Sequence, residues 1–162
     1  MKTLLLGLLV CLVHLSAYAK ILVGVVTYVG DGDTVWVEVD RHTKPVKLRL
    51  LGLDAPEICQ TGGPQARDAL KAKLLKQTVT IDTKARDEYA RAVGRIAHRG
   101  DDVGAWLVKN GHAWSYAYQR RAASYANEQA AAKIARLGLW AQAAPIEPRA
   151  FRKLHGVCRR SK

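Results

Sequence analysis

Acids are scarce in this 162-residue chain: 14 Asp and Glu stand against 26 Lys and Arg, for a formal net charge of +12. Such a balance draws polyanions, whether nucleic acid, anionic lipid or acidic polysaccharide, and it equally describes a basic surface with no dedicated partner. Cysteine is scarcer still, with three in the chain and no CxxC among them. No Cys/His set has metal-ligand spacing, and His42, His98, His112 and His155 are too scattered to define a site. No apolar run is long enough to span a bilayer. Repeats are absent, nothing marks a second domain, and the length suits one domain with a real core.

The opening segment, MKTLLLGLLVCLVHLSAYAK, carries Lys2, an apolar stretch over 4–15, and Ala17 and Ala19 at A-x-A spacing. Residues 1–19 therefore read as an export signal cut after Ala19; a membrane anchor needs a longer run and stop-transfer charges. Cys11 does not make it a lipoprotein signal, because Val10 stands where a small residue is expected. Cleavage removes one charge, Lys2, and takes the net charge from +12 to +11. The mature chain is expected in the periplasm or outside the cell, as a monomer with no stable membrane association. Its two remaining cysteines, Cys59 and Cys158, form an even pair in an exported chain, which suggests a disulfide; two free thiols are the alternative.

Strand patterns come first. Residues 21–29 are β-rich, 34–39 place Val35, Val37 and Val39 on one face with Trp36 and Glu38 on the other, and 46–53 form a third strand. Gly62-Gly63-Pro64 opens a helix over 65–76, with Ala66, Ala69, Leu70 and Leu74 at helical spacing. Two more strands fit 78–83 and 91–98. Asp101 and Asp102 begin a second helix that stops at Asn110-Gly111, and an alanine-rich third runs over about 124–137 to Gly138. Residues 145–162 make a Pro-punctuated basic tail that the pattern predicts to be irregular. The order of elements gives an α+β class, and a small closed sheet suits it.

In an up-down-up meander, the ends of the first and third strands lie at one edge of the sheet. The first end carries Asp31 and Asp33 in GDGDTV, and the third carries Asp54 and Glu57 in LDAPE. Taken singly, each pair reads equally as turn chemistry. Together they are four carboxylates at one edge of an acid-poor protein, and carboxylates gathered on turns suit a hard cation such as Ca²⁺ or Mg²⁺. Arg49, on the strand before Asp54, adds a phosphate clamp beside that cation, the pairing that phosphoryl chemistry requires.

DGDT, RLLGLDAPE, DEYAR and GLW, in that order and at suitable spacings, resemble the staphylococcal nuclease family over about residues 24–140. LVKNGHAW is similar to the family's second helix, and GGPQARDAL to the start of its first. The resemblance implies a five-stranded OB-type β-barrel with three helices, here a nuclease domain over 20–144 followed by the tail 145–162. It implies that Asp33 and Asp54 bind Ca²⁺ with the carbonyl of Ala55. Glu57 matches the general base, and Arg49 and Arg91 the arginines on the scissile phosphate. Asp31 and Thr34 flank the metal site. Tyr89 by motif, and Tyr116 and Tyr118 with a one-residue shift, match tyrosines that help to hold the nucleotide base; packing beside Trp114 is the other reading for the last two. Ala90 departs from the pattern, which commonly has glycine before the second arginine. For Arg91 itself, an ion pair with Asp87 or Glu88 is the competing reading.

The resemblance implies calcium-dependent phosphodiester hydrolysis of DNA or RNA, with little sequence specificity and 3′-phosphate products. Lys71, Lys73, Lys76, Lys84, Arg86 and the Arg120-Arg121 pair would attract the substrate without reading its sequence. The rival is a catalytically inactive OB module that binds single-stranded nucleic acid with a basic groove and stacking aromatics. Degenerate modules lose acids or arginines, whereas Asp33, Arg49, Asp54, Glu57 and Arg91 are all present. A basic protein that binds envelope polyanions accounts for the charge and for none of these five.

Overall fold

The computed structural model describes residues 20–117, 123–156 and 158. Residues 1–19, expected from the sequence to be an export signal, lie outside the described residues, as do Tyr118 and the Arg120-Arg121 pair.

Strands β1 (Lys20–Val29), β2 (Thr34–Glu38) and β3 (Val46–Leu50) form the expected antiparallel meander. The alternation of β2 places Val35 and Val37 fully inside, with Trp36 and Glu38 on the outer face. The third strand is shorter than its pattern predicts. At Gly52 the backbone turns left-handed (φ 84°), and the chain re-emerges as β4 (Leu53–Asp54), which leaves the barrel. Helix α1 (Gly63–Leu74) follows, then the long hairpin of β5 (Thr78–Arg86) and β6 (Ala92–His98). β1 pairs with β5, and β3 runs parallel to β6, with Leu48 opposite Ala92 and Leu50 opposite Gly94. That parallel pairing closes a five-stranded mixed barrel from β1, β2, β3, β6 and β5.

Asp101 and Asp102 pair with the end of β6 as β7 (Asp101–Asp102), and the Asp102 carboxylate caps α2 (Val103–Lys109) by accepting the N–H groups of Gly104 and Ala105. A two-residue strand, β8 (Trp114–Ser115), pairs with β4 and brings Trp114 opposite Asp54. Helix α3 (Ala126–Ile134) is shorter than its alanine-rich pattern, and GLW forms a 3₁₀ turn at Gly138–Ala141. The core fills the barrel with Val26, Leu48, Leu50, Ile81 and Ile96, and α1 covers it with Ala66, Leu70 and Leu74.

The tail differs most from expectation. Instead of irregular chain it holds a fourth helix, α4 (Pro148–His155). Pro148 at its first turn pre-sets the helical φ. The helix contributes only Pro148 to the buried residues, so external ties hold it. The Gln60 side-chain amide donates to the Ile146 carbonyl at 2.7 Å, and Cys59 and Cys158 are disulfide-bonded with Cα atoms 5.8 Å apart. Among the described residues, no helix is long and apolar enough to cross a membrane.

Candidate active site

The meander does bring its two acidic ends together. Asp33 lies in the β1–β2 turn, where the N–H of Asp33 donates to Asp31 Oδ1 at 3.1 Å. Its own carboxylate is almost fully buried. Oδ2 accepts the N–H of Ala55 at 2.9 Å, and Oδ1 accepts the Thr34 hydroxyl at 3.0 Å. One hydrogen bond across 22 residues thus ties the first turn to the LDAPE turn. Gly32 allows this approach: a Cβ there would stand 2.6 Å from the Cβ of Ala55 and 2.7 Å from that of Ala66.

Arg49 stands between the acids. Opposite Thr34 in the β2–β3 register, it places Nη1 2.7 Å from Asp33 Oδ1 and Nη2 2.6 Å from Asp54 Oδ1. Burial pushes the Asp33 carboxyl well above its ordinary range; Asp31 and Asp54 add to this, while Arg49 and the Ala55 N–H oppose it. Asp33 and Asp54 both converge on the one guanidinium of Arg49. Among the described residues, no three His, Cys, Asp or Glu side chains are grouped to hold a metal ion. The donor set that could take one is two carboxylates and backbone oxygen, all hard ligands.

Asp54, Glu57, Arg49 and Arg91 line a single open cleft of about 760 Å³ that also takes in Asp31, Thr34, Trp36, Tyr89 and Tyr116. The barrel closure explains the fourth member. Because β3 and β6 are parallel, Arg91, just before β6, enters from the same end as the start of β3. Its Nε donates to Asp87 Oδ2 at 2.7 Å, and its guanidinium lies 5.3 Å from the centre of the Tyr89 ring. Burial works against the Asp87 charge, but the Arg91 N–H, the Arg91 guanidinium and the Tyr89 N–H outweigh it and hold the carboxyl below its ordinary range. The ion pair and the cleft position thus coexist. Ala90 has φ 57°, left-handed for a residue with a Cβ, which is the physical reason that glycine suits this position. Tyr89 is 69% exposed, an open ring at the cleft wall.

Sequence reasoning missed Arg152. From α4 its Nη1 and Nη2 reach Asp54 Oδ1 and Oδ2 at 3.2 and 2.8 Å, and Nη1 also reaches Glu57 Oε1 at 2.8 Å. Burial disfavours this guanidinium's charge, and the bonds to Asp54 and Glu57 outweigh it, so its pKa rises. The available signal was Cys158: a disulfide to Cys59, two residues after Glu57, brings the intervening basic tail back to the cleft.

The sequence model of the family described as staphylococcal nuclease homologue matches residues 47–142. Protein ParB of Escherichia coli is 36% identical over 158 residues, covering 91% of this chain and 88% of that protein. A protein of Escherichia coli O157:H7 named an uncharacterized endonuclease is 36% identical over 126 residues, 77% of this chain and 81% of its own length. The micrococcal nuclease of Shigella flexneri is 34% identical over 142 residues, 80% of each chain. Barrel, matched segment and similarity along most of the chain agree, and the chain belongs to the staphylococcal nuclease family.

Proposed function

We propose that this protein is an exported nuclease that hydrolyses phosphodiester bonds of DNA and RNA, with little sequence specificity, at the cleft around Arg49, Asp54, Glu57 and Arg91. The observation that carries the reading is the gathering of Arg49, Arg91, Asp54 and the half-buried Glu57 in one cleft, with Arg49 bridging Asp54 to the buried Asp33. Relatives named nucleases and endonucleases support the same class of reaction.

Asp33, Asp54 and the carbonyl of Ala55 would hold a divalent cation, with calcium the expected ion. Bound there, the ion would polarise a non-bridging phosphate oxygen. Each further role falls to a residue of the chain. Arg49, which here neutralises both carboxylates, turns its fork to the phosphate, a geometry that its planar donors suit. Arg91, which lines the same cleft, stabilises charge on the equatorial oxygens as phosphorus becomes five-coordinate. Glu57 takes a proton from the attacking water; its Oε2 has no partner among the described residues. Departure of the 5′-oxygen leaves a 3′-phosphate. Tyr89 and Tyr116 flank the cleft where a base would stack, and Tyr118 is assigned to the same role by motif. The Cys59–Cys158 bond suits a protein that works outside the cytoplasm, in the periplasm or beyond.

Incubation of the mature protein with plasmid DNA, in calcium and in chelator, tests the reading. Nicking in calcium alone, with 3′-phosphate ends that block polymerase extension until phosphatase is added, is expected. Intact plasmid under both conditions, with the DNA shifted on a gel, would favour the binding module instead.

A further inference from the structure

Arg152 comes from outside the segment that the family model matches, yet it touches two acids to which the proposed reaction assigns work. Its helix is fixed at both ends. Before α4, the buried Gln60 side chain holds the Ile146 carbonyl; after it, Cys158 is bonded to Cys59. Both ties land on the turn that begins with Glu57, where the Gln60 N–H also donates to the Glu57 carbonyl at 2.8 Å. A removable cover over the acids would need a hinge between itself and them. This helix is mounted on the same turn as one of those acids, so its backbone keeps Arg152 within reach of the cleft.

The guanidinium spends one end on the protein. Nη1 and Nη2 face the two oxygens of Asp54, and the outer N–H of Nη1 reaches Glu57. The remaining donors, Nε–H and the outer N–H of Nη2, lie side by side along the other edge and have no acceptor among the described residues. The side chain is 30% exposed and lines the same cleft as Arg49 and Arg91. A planar fork can hold a carboxylate on one edge and a phosphate on another, which an ammonium cannot do.

We propose that Arg152 is a catalytic residue, a third arginine of the cleft. Its free edge binds the non-bridging oxygens of the scissile phosphodiester while its occupied end keeps Asp54 and Glu57 aligned with that phosphate. The assignment rests on the phosphodiesterase reading above, and the test separates the two.

Arg152→Ala and Arg152→Lys are made in the mature chain and first checked for folding by thermal melting; the lysine variant keeps a charge on Asp54 if the alanine variant does not fold. Binding of a short fluorescent single-stranded DNA is measured by polarisation in EDTA, where no cleavage interferes, and turnover is measured separately in calcium. Binding is expected to weaken about tenfold and turnover to fall about 100-fold in both variants, because lysine restores the charge and not the second edge. Lysine binding and cleavage equal to wild type would overturn the assignment, since charge alone would then suffice. So would faster cleavage, or half-maximal rate at less calcium, in either variant, because Arg152 would then be a cover over the acids. Wild-type cleavage with undiminished variants overturns this assignment alone. A wild type that cleaves nothing in calcium overturns the phosphodiesterase reading and this assignment with it.

Discussion

Replacing both Cys59 and Cys158 with serine removes a cross-link between positions 99 residues apart. In the unfolded chain that bond closes a loop containing α1, β5, β6 and every later helix, so the loop-entropy model assigns it about 4–5 kcal/mol. Little in the folded state replaces it. α4 buries only Pro148, Leu154 is 73% exposed, and what remains is the Gln60–Ile146 bond and the Arg152 ion pairs. For a chain of this size, with about 2–4 °C of melting temperature per kcal/mol, the double variant is expected to melt about 8–20 °C below wild type. Guanidinium titration at 25 °C, on the double variant and on wild type with and without dithiothreitol, gives the free energy directly. Turnover falls in parallel, because α4 carries Arg152. A stability loss under about 1 kcal/mol would refute the reasoning, since the unfolded chain would then not be restrained by the bond.

Arg49→Ala should cost about 1–3 kcal/mol of stability in chelator, because the buried Asp33 carboxyl loses its hydrogen-bonded counter-charge and, already pushed up by burial, takes up a proton instead of standing as a bare charge; denaturant titration checks it, and added calcium should restore part of the loss. Gly63→Ala should destabilise by about 3 kcal/mol and slow turnover as well, because its Cβ would be driven into the Glu57 carbonyl oxygen; melting and initial rates test the two effects. Burial holds the His112 imidazole below its ordinary range. The unfolded chain then takes up the proton more readily, so stability is full above about pH 6.5 and declines as pH falls below it. His112→Asn should flatten that part of a melting-temperature profile between neutral and acid pH.

The strands of the barrel were legible because each has a local alternation, and β2 obeys it residue by residue. Closure was not, since the β3–β6 pairing joins strands separated by a helix and a hairpin, and no local pattern marks which edges meet. Gly52 shows the same limit on a smaller scale: apolar residues continue past it, yet its left-handed backbone ends β3 and sends Asp54 to pair beside Trp114. At the site, the acids could be placed together because a meander fixes which ends share an edge. The lodging of Arg49 between Asp33 and Asp54 could not, because it depends on side-chain reach across the finished turn. The eight-residue α4 carries too short a pattern to announce itself, and its position depends on a bond to Cys59.

Single-turnover cleavage of plasmid DNA by Glu57→Gln, beside wild type and with calcium saturating, addresses the centre of the account. The amide can still accept the Arg152 hydrogen bond at Oε1, so the variant should melt near wild type and bind single-stranded DNA normally. It cannot take a proton from water, and its cleavage rate is expected to fall by about 10²–10⁴-fold. A variant that cleaves at the wild-type rate would contradict the assignment of this cleft as the place where the phosphodiester is hydrolysed.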